Sequence, residues 1–238
     1  MQHTALAAPA GAPVAALLCG CVYLSSHTLH GACTDSLDSS IRNYCVVVPG
    51  ALWRGERPTA ADATWLMEHD VGSIVSLQLE DQRAFEAATP RGTEHAADYY
   101  HVSDFGPLQM LSRSRLDHHV AHFLAILRTA PKPVYVHCRA GVDRVGVLIA
   151  AYRILVEGAS REQALAELRR FRSPWIQLEV RYVRSISEAR KAEILREAGQ
   201  WQPLVEPSAR IDCRRGRCTF DRSRLHQPTD RPANGPRA

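Results

Sequence analysis

Between residues 46 and 202 the hydrophobic positions switch repeatedly between two periods. Val46–Val48 and Leu52–Trp53 are short apolar runs of strand type. Thr59 with Asp62 three residues later is a capping pattern, which predicts a helix running to about His69. Ile74–Leu77 and the aromatic, β-branched run Tyr99–Val102 predict two further strands. Val120, Phe123, Leu124 and Leu127 recur at i, i+3, i+4 and i+7, so residues from about Arg115 to Thr129 form an amphipathic helix that Pro131 and Pro133 stop. Val134–Val136 is a short buried strand, and Arg144–Leu155 reads as a buried helix. Ser160 with Gln163 caps the next helix, and Pro174 separates that one from a last helix ending near Gly199. Strand and helix alternate. The pattern predicts a single α/β domain over 46–202, with a central sheet flanked by helices on both faces.

Composition agrees with one globular domain plus two appendages. The chain has 238 residues, 45% hydrophobic and 23% charged, which excludes a wholly disordered chain and a multi-span membrane protein. Eight arginines against four acidic residues in 203–238 account for the whole net charge of +4. The rest is near neutral, and a basic nucleic-acid-binding body is excluded. With five prolines and few large apolar residues, 203–238 reads as a mobile, disordered, basic tail. At the other end, the first charged residue is Asp35, and Val14–Leu24 is an apolar run of secretory-signal length. Residues 1–25 are therefore read as a leader and 26–45 as a linker. Leu18-Cys19-Gly20-Cys21 resembles a bacterial lipoprotein processing site, which would lipidate Cys21 and attach the protein to a membrane; a basic segment ahead of the run is missing. The expectation is export, to the periplasm or a membrane anchor, with a cytoplasmic protein as the alternative. Cys33 with Cys45 and Cys213 with Cys218 are candidate disulfides outside the core, suited to an oxidising compartment. No zinc or other metal site is expected, since the 213/218 pair has no second ligand pair at a suitable spacing.

The candidate chemistry lies between the last predicted strand and the helix after it, in His137-Cys138-Arg139-Ala140-Gly141-Val142-Asp143-Arg144. The first amides of a helix have no partners in a preceding turn, and the helix dipole places positive potential there, so this position attracts anions. Gly141 lets the loop curl so that successive N–H groups point inward. Five residues between Cys138 and Arg144 make a ring wide enough for a tetrahedral dianion, which Arg144 can close with paired N–H···O bonds. The same potential favours the thiolate of Cys138, and a thiolate in a phosphate-sized cradle is a nucleophile aimed at phosphorus.

His137-Cys138-x-x-Gly141-x-x-Arg144 resembles the signature of the cysteine-dependent protein tyrosine phosphatase superfamily, in its compact dual-specificity-like bacterial branch. The upstream Pro49-Gly50-Ala51-Leu52-Trp53-Arg54-Gly55-Glu56-Arg57-Pro58 is similar to that family's early strand and turn. The resemblance runs from about Val46 to Leu168. It implies a phosphatase-like fold and phosphomonoester hydrolysis through a phosphocysteine, without metal or other cofactor, on a phosphorylated protein or a small aryl phosphate. It also implies a general acid on a loop after an earlier strand. Asp104, in Val102-Ser103-Asp104-Phe105-Gly106-Pro107, is the candidate, with Asp98 as runner-up. An acid must hold its proton at the working pH, so an acidic optimum is expected. Most relatives carry Ser or Thr directly after the signature Arg, where this chain has Val145. The missing hydroxyl predicts slow breakdown of the phosphocysteine and keeps a phosphate-binding pseudophosphatase as one alternative. A rhodanese-like sulfurtransferase is another, disfavoured by the five-residue spacing. Asp143 is read chiefly as a favourable charge at the helix start. His137 is read as a buttress of Cys138, and His118, His119 and His122 as surface or partly buried residues.

Overall fold

The computed structural model describes Cys33, residues 39–78, 82–91, 94–102, Phe105, 110–221 and Ser223. Its elements run in the order β1 (Cys45–Val48), β2 (Leu52–Glu56), α1 (Ala60–Glu68), β3 (Ser73–Ser76), α2 (Gln82–Glu86), β4 (His95–His101), α3 (Arg113–Thr129), β5 (Val134–Cys138), α4 (Asp143–Leu155), α5 (Arg161–Arg169), α6 (Ile176–Ser185), α7 (Glu188–Trp201), β6 (Ala209–Arg214) and β7 (Arg217–Asp221). The seven strands form one mixed sheet in the order β1-β2-β5-β3-β4-β6-β7. The inner four are parallel, and β1, β6 and β7 join antiparallel at the two edges.

Handedness places the helices. The crossover from β2 to β3 passes over β5 in one direction, and the return from β4 to β5 runs in the other. Right-handed connections then put α1 and α3 on opposite faces of the sheet. Each face has its own core. Val134, Val136 and Cys138 of β5 point into the core built with α3, α4, α5, α6 and α7. Tyr135, one residue out of phase, points into the other with α1, Phe85 of α2 and Tyr99 of β4. Local signals set the helix starts. Thr59 and Asp62 form a reciprocal capping box on α1, and Ser160 and Gln163 form one on α5.

Four sequence expectations are corrected. The domain begins before Val46: Ile41 and Tyr44 of the expected linker are buried in the core beside α1, where Tyr44 packs edge-on against Trp53 and Trp65. The single last helix is two, since the chain leaves helical geometry at Ile186 and Ser187 recaps it by accepting from the Arg190 amide. The tail expected from residue 203 is instead ordered over 209–221 as a hairpin. Ala209, Ile211 and Cys213 alternate inward with Arg210, Asp212 and Arg214 outward, and Cys218 and Phe220 face inward from β7. Arg215 (φ 51°) and Gly216 (φ 73°) are the two left-handed residues of its two-residue turn. Cys213 and Cys218 are bonded directly across the two strands and lie in the core, not outside it; Cys33 is bonded to Cys45, which is also a core residue, with Cys33 packed against that core. The leader, with Cys21, and the chain after Ser223 lie outside the described residues. Among the described residues no helix is long and apolar enough to cross a membrane.

Candidate active site

The parallel register brings three strand ends together. Cys138, the last residue of β5, stands opposite Glu56 at the end of β2, and His137 stands opposite Ser76 at the end of β3. This crevice at the carboxyl ends of the strands lies where the chain reverses its direction of winding, the usual place for a ligand in an open α/β sheet. Cys138 is almost wholly buried, and among the described cysteines it is the free one.

The loop after Cys138 is fastened from behind. Asn43 Nδ2 donates to the Ala140 carbonyl at 2.8 Å. Arg54 Nη2 donates to the carbonyls of Gly141 at 2.6 Å and Val142 at 3.4 Å. In a trans peptide the N–H points opposite to the C=O. Three consecutive carbonyls drawn outward therefore turn the next three amides to the inner side, next to the start of α4 at Asp143. Gly141 is required twice over. Its φ is +68°, and a Cβ would overlap the backbone of Gly55 and Glu56. Gly55 in turn is packed against the Tyr135 hydroxyl, which donates to the Glu56 carbonyl at 2.6 Å.

Arg144 reaches across the mouth of the loop. Its Nη1 donates to the carbonyls of Leu77, just past β3, and of Phe105 at 3.0 Å. Phe105 is buried, with its ring stacked on His119 at 4.4 Å. Asp104 lies outside the described residues. Its described neighbours are Val102, whose amide donates to the Ser76 carbonyl, and Phe105, held by Arg144. The runner-up Asp98 is excluded by register. It pairs with Ser73, which pairs with Val134, so it lies four residues from Cys138 along the sheet, about 13 Å away at ~3.3 Å per residue. It faces Arg210 there, at 3.5 Å. Arg139 is exposed, and His137 is buried with its ring stacked on Tyr135. Asp143 accepts from the Ser173 hydroxyl at 2.5 Å, a link from the loop to the segment before α6 in addition to its charge at the helix start. Val145 is fully buried among apolar side chains.

Behind the loop stand residues that pattern reading passed over: Asn43, Ser173, Glu179 and the role of Arg54. Arg54 is buried with its guanidinium 3.8 Å over the Phe171 ring. Burial lowers its pKa to about 10, against the raising influence of Glu167, Cys138 and Glu179, so it stays charged at neutral pH. Ser173 Oγ also lies within hydrogen-bond distance of Glu179 Oε1, at 2.5 Å, and burial with the nearby Asp143 pushes the Glu179 carboxyl up to about 7. A charged residue inside an otherwise buried strand, Leu-Trp-Arg-Gly-Glu, was the available signal for Arg54. A cleft of about 400 Å³ lined by Leu52, Leu124, Leu127, Tyr152 and Leu155 lies at the opposite end of the strands and is separate from this site. Among the described residues no group of three or more His, Cys, Asp or Glu is arranged to hold a metal ion.

A family model described as "DSP-PTPase phosphatase fused to NAD+ Kinase" matches residues 48–180, more than half of the chain. The chain belongs to this DSP-PTPase family. Among curated proteins it is 29% identical over 142 residues to the dual specificity protein phosphatase TpbA of Pseudomonas aeruginosa strain UCBPP-PA14. That stretch is 58% of this chain and 58% of the relative, so the chain spans under two thirds of the length of the curated protein it matches. Solved structures share the DSP-PTPase fold. A crystal structure of a cysteine-to-serine variant of P. aeruginosa TpbA with phosphotyrosine superposes with a TM-score of 0.52 at 24% identity, covering 70% of this chain and 98% of that one. The core catalytic domain of the PP-IP phosphatase Siw14 from S. cerevisiae, in complex with citrate, gives 0.51 at 23% identity, covering 68% and 96%.

Proposed function

We propose that this chain hydrolyses phosphomonoesters through a phosphocysteine, as a protein tyrosine or dual-specificity phosphatase. The observation that carries the reading is the free, buried Cys138 at the base of a loop whose carbonyls are fastened outward by Asn43 and Arg54. An acyl-transfer intermediate presents one oxyanion and is served by one or two donors, whereas the three equatorial oxygens of a transferring phosphoryl group match a ring of amides closed by a guanidinium. Cys138 Sγ attacks phosphorus, the P–O ester bond breaks, and Asp104 gives its proton to the departing oxygen. Water then attacks phosphorus, the P–S bond breaks, and Asp104 takes the water's proton, releasing phosphate and the thiolate. Arg144 binds two equatorial oxygens and, through Phe105, ties the loop to the segment that carries Asp104.

The substrate class is a phosphotyrosyl protein or a small aryl phosphate, supported by the naming of TpbA as a dual specificity phosphatase and its crystallisation with phosphotyrosine. The two disulfides support an oxidising compartment, and so an exported protein. Steady-state hydrolysis of p-nitrophenyl phosphate and of a phosphotyrosyl peptide tests the reading. Cys138→Ser is expected to abolish both, and Asp104→Asn to slow the first step about 10²–10⁴-fold. Unchanged turnover in Cys138→Ser refutes it.

A further inference from the structure

Behind the loop, one hydroxyl stands between two carboxylates. Ser173 Oγ lies 2.5 Å from Asp143 Oδ1, 2.5 Å from Glu179 Oε1 and 3.0 Å from the Trp175 amide. A serine hydroxyl has one proton and two lone pairs. The Trp175 N–H takes one lone pair, and the single O–H serves one carboxylate. The other carboxylate can sit at that distance only by donating a proton of its own to the remaining lone pair. Asp143 and Glu179 therefore hold one proton between them. Glu179 is completely buried, and so is Arg54, whose guanidinium acts on both Glu179 and Cys138.

We propose that Arg54 and the Asp143–Ser173–Glu179 chain are a positioning network, which holds the phosphate loop in its oxyanion-binding form while the two carboxyls keep their shared proton. The proposal rests on the phosphatase reading and deepens it. Arg54 acts on the loop through its carbonyls, as described above. Asp143 fastens the loop's last residue to the segment before α6. Around Glu179 the charged groups are Asp143 from α4 and Arg54 from β2; Arg54 also feels Glu167 of α5, which Arg153 of α4 holds at 2.8 Å, and Cys138 of β5. With the shared proton present, the Asp143–Ser173–Glu179 chain carries one negative charge. When the proton leaves, two carboxylates face the same hydroxyl, one of them loses its hydrogen bond, and the added negative charge stands at the start of α4 where the oxyanion must bind. The raised proton affinity of Glu179 places this loss near neutral pH.

Calorimetric titration of the full chain with tungstate, kept dilute enough to remain the monomeric dianion, tests the network at about pH 6 and about pH 8. The wild-type chain is expected to lose about tenfold in tungstate affinity between those two values, the limit for one proton that leaves near pH 7. Glu179→Gln keeps a donor to Ser173 and cannot ionise, so its affinity is expected to change less than about threefold over the same interval. Arg54→Lys offers a point charge in place of a fork and is expected to weaken tungstate at least about tenfold at both values. Far-UV circular dichroism checks that each variant is folded, and a second substitution, Arg54→Gln, replaces Arg54→Lys if that chain is not. A Glu179→Gln chain with the wild-type pH dependence overturns the network, and so does a folded Arg54 variant with wild-type affinity. The two readings fail differently. No tungstate binding by the wild-type chain removes both, whereas pH-independent binding with intact hydrolysis of p-nitrophenyl phosphate removes the network alone.

Discussion

Val145 is the side chain whose chemistry departs furthest from the loop around it. It is the third residue of α4, its side chain is fully buried, and it brings no hydroxyl to the sulfur. In the proposed reaction the thiolate is nucleophile in the first step and leaving group in the second, and a hydroxyl beside it would stabilise it as it leaves. Hydrogen bonds to charged groups are worth ~1.5–3 kcal/mol, so their absence slows the second step by about ten- to a hundredfold. Rapid mixing with p-nitrophenyl phosphate is therefore expected to show a burst near one product per enzyme and then slow turnover. Val145→Thr, close in volume, is expected to shrink the burst and raise the steady rate about tenfold or more. Its hydroxyl costs about 1–3 kcal/mol of stability if it finds no partner in that apolar site. No burst in the native chain, together with an unchanged steady rate in the variant, would remove this role for the hydroxyl. Single residues were otherwise legible in proportion to how local their reasons are. Cys138, Gly141 and Arg144 belong to one short loop and could be read from their spacing. Asn43, Ser173 and Glu179 could not, because each reaches the loop from a segment 30 or more residues away in sequence or through another side chain.

Among the helices, α3 and α7 make a seam that carries titratable groups. Asp117 and Arg190 form a bidentate pair, with the shorter bond at 2.6 Å; His118 meets Glu197 at 2.6 Å; and the half-buried His122 stacks on Trp201 at 4.6 Å. Burial first, and His118 second, depress His122 to about 4 from its ordinary 6.5. Below 6.5 the unfolded chain takes up this proton and the native chain does not until about 4, so stability falls with pH across that window. Glu179 acts in the opposite sense. Its folded value of about 7 exceeds the ordinary 4.5, so its contribution is complete below 4.5 and is lost as pH rises toward 7. The two slopes oppose one another between about 4.5 and 6.5. His122→Phe, which keeps a ring against Trp201, is expected to remove the acid loss and gain about 1–2 kcal/mol on the wild-type chain at the acid end, after allowance for the ring's partial exposure. Thermal midpoints across that range measure it, and parallel curves for the two chains would contradict it. The seam shows what periodicity can and cannot reveal. Val120, Phe123 and Leu124 announced the buried face of α3, yet nothing in their spacing says which helix covers the polar shoulder beside it. The division of the last helix at Ile186 was hidden for a related reason, since no Gly or Pro marks it and the Ser187 cap is a weak signal inside a charged run.

At the scale of the molecule, the parallel sheet would leave β4 as an open edge without the hairpin that follows α7. β6 pairs with β4 from His95 to Tyr99, the Ser208 amide donates to the Tyr99 carbonyl at 2.8 Å, and the His101 amide donates to the Ser208 hydroxyl at 3.0 Å. Phe220 packs edge-on against Tyr99 at 4.9 Å, which itself meets Phe85 of α2. Composition concealed all of this. Arginines on the outward face dominate the count, while the inward face needs only Ala209, Ile211, Cys213, Cys218 and Phe220. A chain ending at Leu204 therefore loses more than an appendage. Burial of Ile211 and Phe220 alone is worth ~1.5–3 kcal/mol each, a large part of the ~5–15 kcal/mol that holds an ordinary domain. It also bares the unpaired edge of β4, a template for pairing with a second chain. Breaking only the cross-link with Cys213→Ser and Cys218→Ser removes a short closed loop worth about 2 kcal/mol in chain entropy, leaving the strands paired. The expected order of thermal midpoints is native, then the double serine chain, then the shortened chain, with the last associating in size-exclusion chromatography. Because His101 is held by Ser208 at the end of β4 that leads toward Asp104, the shortened chain is also expected to lose activity beyond its loss of folded fraction. A shortened chain that stays monomeric, melts with the native one and turns over at the same rate would return 205–221 to the status of a solvated tail.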